Sequence, residues 1–152
     1  ALSLSKGFTL IELLVVIGVL AVLLAITLIA INPARQFSQA NNTKRSSDIN
    51  AILNAINQYM ADNTGTTPIG ITTTVQDISN VGANICTLLV PQYLAALPSD
   101  PQTGNPKGTI PAPCPATYNT AYQVVKTSTN RVTVSAPDTE IPPATIDLSV
   151  TR

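Results

Sequence analysis

The sequence predicts an α+β protein: a long N-terminal α-helix, apolar in its first half and amphipathic in its second, packed on a C-terminal three-stranded antiparallel sheet. Three observations predict it. Leu13 to Ile31 is an uninterrupted run of nineteen uncharged residues. Beyond it, Ile49, Ile52, Leu53, Ile56 and Met60 recur at helical spacing. In the last third, apolar and polar residues alternate with period two, which is the mark of half-buried strands. Segments 8–32, 33–62 and 63–152 are read as the apolar helix, the amphipathic helix and a globular head.

The apolar run is long enough to cross a bilayer. As a helix rising ~1.5 Å per residue it spans roughly 28 Å, against a hydrocarbon core of ~30 Å. A carboxylate, Glu12, stands at its start. At the bilayer centre such a charge costs ~2.5–3.5 kcal/mol, so Glu12 sits near the lipid surface or awaits a partner. A secretory signal peptide has a shorter apolar core and a small-residue cleavage site; Ala30-Ile31-Asn32 lacks that form.

Two positions weaken the helix. Pro33 has no amide to donate to the carbonyl of Ile29 and biases Asn32 away from helical geometry, so a break is expected there. Gly18, inside the run, is a second weak point, worth ~1 kcal/mol relative to Ala. The amphipathic segment then runs to Asp62, with Lys44, Arg45 and Asp48 counted on its polar side. Asn63-Thr64-Gly65-Thr66-Thr67-Pro68 stops it with a Gly and a following Pro.

Ile69 to Ala121 reads mostly as loop, with a short apolar stretch from Leu88 to Leu97 and turns at Pro98, Asp100-Pro101 and Gly104-Asn105-Pro106. Cys86 and Cys114 enclose it. An even pair in an exported domain reads as a disulfide, with two free buried thiols as the alternative. Three strands follow. Tyr122 and Val124, joined by Thr120, align on the first; Val132, Val134 and Ala136 on the second; Ile146, Leu148 and Val150 on the third. Thr127 to Asn130 and a link around Pro142-Pro143 separate them.

Composition excludes several functions. Eight basic and eight acidic residues balance, and 11% of residues are charged. That is not the basic footprint of a nucleic-acid binder. The chain has no His, so a catalytic thiol or hydroxyl lacks its usual base. The acids are scattered; Asp138 and Glu140 lie close together in a Pro-flanked turn, where solvated charges are expected. The residues point to no catalytic site and no cofactor.

The stretch Lys6-Gly7-Phe8-Thr9-Leu10-Ile11-Glu12-Leu13-Leu14-Val15-Val16 resembles the class III leader junction of type IV pilins and type II secretion pseudopilins. The resemblance implies a leader, with 1–7 its remnant, cut after Gly7 by a membrane prepilin peptidase that also methylates the new amine of Phe8. It implies that 8–32 is both a transmembrane helix and a filament core, and that Glu12 serves assembly by pairing with the Phe8 amine of its own chain or of a neighbour. Buried charges of this kind set register more than they add net stability. The implied partners are further copies of the chain in a helical filament, the prepilin peptidase, pilus or secretion assembly machinery, and the inner membrane that holds the precursor.

The Tyr93…Leu97-Pro98-x-Asp100-Pro101 pattern resembles a loop of the major pseudopilins, several of which hold calcium nearby. Calcium takes six to eight oxygens, and Asp100 is the sole acid between Asp77 and Asp138. No metal site is expected, and Asp100 reads as a turn cap. The leading expectation is therefore a structural pilin of an extracellular filament. A secretion pseudopilin is the first alternative, and a membrane-anchored binding domain that does not polymerise is the second.

Overall fold

The computed structural model describes residues 7–140 and 148–152. Helix α1 covers Leu10–Ile31 and helix α2 covers Pro33–Asp62. Strand β1 is Gln76–Ser79, a short helix α3 is Cys86–Leu89, and strands β2 and β3 are Leu97–Pro98 and Thr109–Ile110. Strands β4, β5 and β6 are Asn119–Lys126, Val132–Ala136 and Leu148–Thr151. The chain divides into two units, one ending at Phe37 and the other running from Ser38 to Arg152.

In the first unit every residue of α1 is exposed. A helix whose one charge is Glu12 and which buries no side chain is covered by none of the described residues, and its length and composition are those of a membrane span. It passes through Gly18 without interruption; extension at Gly18 is an expectation for a filament. The interruption falls at Asn32, which takes a left-handed conformation (φ 47°, ψ 77°) as the C-cap of α1. The helix restarts at once. The Asn32 carbonyl accepts from the amides of Arg35 and Gln36, and the Asn32 side-chain oxygen also accepts from the Arg35 amide. A single Asn thus closes one helix and caps the next, a dual role suited to a residue that tolerates positive φ and carries a short acceptor.

The second unit is built on α2. Its core face carries Ile49, Ile52, Leu53, Ala55 and Ile56, buried in one cluster with Tyr122, Val124, Val132, Val134 and Ala136 of the sheet. Each fully buried Ile or Leu contributes ~1.5–3 kcal/mol relative to an exposed one. Gly65, at φ 82°, donates to the Met60 carbonyl at 2.7 Å and closes the helix.

The sheet has four antiparallel strands in the order β1-β4-β5-β6, where three were expected. The added strand, β1, lies in the stretch read as loop. It is four residues long with one large apolar side chain, Ile78, too short to show a period. Its pairing with β4 shifts register between Asp77 and Ser79, and Ala121 on β4 adopts φ 60° at that bulge. β4, β5 and β6 follow the expected alternation, with Tyr122 and Val124, then Val132, Val134 and Ala136, facing inward. Leu148 and Val150 pack against the same core; Ile146, expected on that strand, lies outside the described residues. The rest of the expected loop holds α3 and the β2–β3 ladder.

Candidate functional site

The first turn of α1 is fixed by a capping box. Thr9 is the N-cap, in extended geometry. Its hydroxyl accepts from the Glu12 amide at 3.3 Å, and its own amide donates to Glu12 Oε2 at 2.9 Å. The hydroxyl also donates to that oxygen, at 2.7 Å. Two of the amides that a helix start leaves unsatisfied are met in this way, and the carboxylate lies at the positive end of the helix dipole. Among the described residues Oε1 accepts no hydrogen bond and no cation meets Glu12. Among the described residues, therefore, one oxygen of this carboxylate is satisfied and the other is open. Gly7 and Phe8 precede the helix in non-helical, exposed backbone, so the bond between them is accessible from outside.

Cys86 and Cys114 are joined in a disulfide across a separation of 28 residues. The Cys86 side is anchored: α3 starts there, and the Cys86 amide donates to the Tyr118 hydroxyl, which donates to Asn84 at 2.8 Å. Cys114 packs at the edge of the core. The clasp holds a turn-rich segment that sends Leu89, Val90, Leu97 and Ile110 into the core.

Charge in the second unit is organised differently from the expectation. Arg45 is fully buried, and Asp48 is buried beside it. Arg45 Nε donates to Asp100 Oδ2 at 2.5 Å and one terminal nitrogen reaches Asp100 Oδ1 at 3.2 Å. That nitrogen also meets Glu140 Oε1 at 2.9 Å, and the other donates to Asn42 at 2.9 Å. Glu140, expected in solvent, is further held by the Asn41 amide group and by its own backbone amide on Asn42. Asp138 is exposed as expected, and accepts from the Thr103 hydroxyl at 2.7 Å.

Asp100 does cap its turn, accepting from the amides of Gln102 and Thr103 at 2.8 and 3.0 Å. It also serves as the main counter-ion of Arg45. Burial works to raise its carboxyl, but the Arg45 guanidinium and the Thr103 and Gln102 amides outweigh burial and hold it below its ordinary value. For Arg45, burial alone would lower the guanidinium, and Asp100 and Glu140 together hold it above. Asp48 accepts from Lys44 at 2.6 Å and from the Tyr122 hydroxyl at 2.8 Å; burial, then this bond to Asp48, pushes the phenol well up and keeps it protonated.

The sequence carried one signal for Arg45 that charge obscured. Arg45 lies four, seven, eight and eleven residues before Ile49, Ile52, Leu53 and Ile56, in phase with the core stripe. An arginine in that phase needs carboxylates, and they come from two distant segments.

None of these arrangements sets a nucleophile against a base. Among the described residues no three His, Cys, Asp or Glu side chains gather as a metal site would require. The largest exposed feature is the uncovered α1, with Glu12 at its start. Residues 2–28 match the family model described as the prokaryotic N-terminal methylation motif. No curated protein and no solved structure matches the chain.

Proposed function

We propose that this chain, which its methylation motif makes a type IV pilin-like precursor processed by the prepilin peptidase and anchored in the membrane before assembly, is a structural pilin that polymerises through α1 into an extracellular type IV pilus or related filament. The peptidase cuts between Gly7 and Phe8 and methylates the Phe8 amine. α1 then leaves lipid for a bundle of like helices, while the Ser38–Arg152 unit remains as the displayed head.

The observation that carries this reading is the lone carboxylate on an otherwise uncharged, wholly exposed helix. In a simple anchor Glu12 does no more than cap the first turn with Thr9 through one oxygen. A packed bundle uses the other as well, because the open Oε1 accepts the cationic amine of Phe8 from the same or a neighbouring chain, and a wrong register leaves both charges unpaired in an apolar medium. The test is mass spectrometry of the mature N-terminus together with electron microscopy of the cell surface. An N-methylated Phe8 and fibres built from this chain are the expected results; an intact leader on surface-exposed protein overturns the reading.

A second reading, the major pseudopilin of a type II secretion machine, draws support from the Leu97-Pro98-x-Asp100-Pro101 turn and its use of Asp100 as a cap. Loss of secretion in a deletion strain that never makes surface fibres would favour it. A mature subunit that never self-associates would leave only a membrane-anchored binding domain.

A further inference from the structure

We infer that Phe37 and Arg35 form an anchor for the membrane–water interface that fixes how deeply the precursor sits; the inference rests on the membrane-held state of the proposed function. Phe37 is 70% exposed. It is the single large apolar residue of α2 that faces outward in this way, since the others are packed into the core or half-buried. It also belongs with α1 in the first unit, which ends at Phe37.

Spacing points to the interface. The chain's two phenylalanines, Phe8 and Phe37, bracket the apolar helix. Their 29 positions correspond to about 43 Å at the helical rise, slightly lengthened by the extended Phe8–Thr9 and shortened by the break at Asn32, while a bilayer with its headgroup regions is ~40–45 Å thick. Helical side chains lean toward the N-terminus, so the ring of Phe37 is directed back over the turn beginning at Pro33, toward the hydrocarbon side. Arg35 lies two residues earlier, exposed, and its guanidinium meets no carboxylate among the described residues. Lipid surrounds a spanning helix on all sides, so the two need not share a face. An apolar ring buried at the acyl boundary and a cation snorkelling to lipid phosphates are the complementary halves of an interfacial anchor.

The chain contains no Trp, so single tryptophans report depth without background. The full chain is reconstituted in vesicles containing anionic lipid and lipids brominated near the headgroup or deep in the acyl chain. Val19→Trp, in mid-span, is expected to be quenched most by deep bromines, which checks the membrane reading itself. Phe37→Trp is expected to be blue-shifted and quenched most by shallow bromines, while Ile69→Trp on the head stays unquenched. Arg35→Gln in the Phe37→Trp background is expected to abolish the dependence of that emission on anionic lipid. If Val19→Trp responds and Phe37→Trp emits as in water, the anchor is refuted and the span stands. Strongest quenching of Phe37→Trp by deep bromines refutes the anchor too, as does protection that appears only in assembled filaments, which would make Phe37 a subunit contact. An unquenched Val19→Trp removes the membrane reading and the anchor together. An unchanged lipid response in the Arg35→Gln variant overturns the pairing of cation and ring.

Discussion

Replacing Arg45 by Met tests the buried charge cluster directly. Met fills much of the volume and keeps the apolar stem, so the substitution removes chiefly the cation. At neutral pH it leaves Asp100, whose side chain is 1% exposed, and Glu140, 21% exposed, without their shared counter-ion. Breaking a buried pair from one side costs ~3–5 kcal/mol. Glu140 retains Asn41 and Asn42, and Asp100 retains two backbone amides, so a cost of about 3 kcal/mol, the lower end, is expected.

The pH dependence has a definite sign. In the parent, the Asp100 carboxyl is held below its usual value of 3.8, so its contribution is present above about pH 4 and is lost as pH falls through the lowered value. In the Met variant the same carboxyl is buried without a cation and is raised instead, so acidification relieves the defect. The gap between parent and variant should therefore shrink markedly between pH 7 and pH 3. Urea denaturation of the full chain in detergent, followed by circular dichroism, measures it at both values. A cost below about 1 kcal/mol at pH 7, the range of an exposed pair, or one that does not change with pH, would refute the argument.

Gly104→Ala would drive its new methyl into the Ser99 hydroxyl and to 2.7 Å from the Asp100 carbonyl oxygen; overpacking of this kind costs ~1–3 kcal/mol, and an unchanged melting temperature would count against the tight turn. Cys86→Ser with Cys114→Ser should lose ~3–4 kcal/mol on the loop-entropy estimate for this separation and expose the intervening loop to protease, whereas a non-reducing peptide map with both thiols free would remove the clasp. Glu12→Leu should enter the membrane at least as well as the parent, since it removes a charge costing up to ~3 kcal/mol in lipid, yet yield few filaments; parental filament yield would end the docking role of Glu12.

Much of the architecture was legible because it rests on local signals. The apolar run names its own medium, Pro33 and Gly65 punctuate α2, and the alternation in β4 and β5 follows directly from burial of one face. The misses share a physical cause. β1 is held by its ladder to β4, 40 to 48 residues away (79 to 119 and 76 to 124), and needs little period of its own. Arg45 was counted on the polar side of α2 and Glu140 placed in solvent because charge ordinarily goes there. The burial of Arg45 depends on partners 55 and 95 residues away (45 to 100 and 45 to 140), and no window of sequence holds all three. At the N-terminus the junction residues and the lone Glu12 were readable. The capping box with Thr9 was readable in principle too, since Thr-x-x-Glu before an apolar run is its signature.

The wide sequence separation within the Arg45 cluster bears on the order of events in the cell. In the proposed membrane-held precursor, a chain that emerges on the far side from α2 onward would present Arg45 among its first head residues. Its counter-ions at positions 100 and 140 follow late, and β6, which completes the sheet, comes after both. Until then α2 carries a cation that opposes burial of the very face that must dock, and loop closure over such distances is slow to be rewarded. On the proposed membrane-held reading, the head commits to its fold only when nearly the whole chain has emerged, which would keep partly emerged subunits pliable.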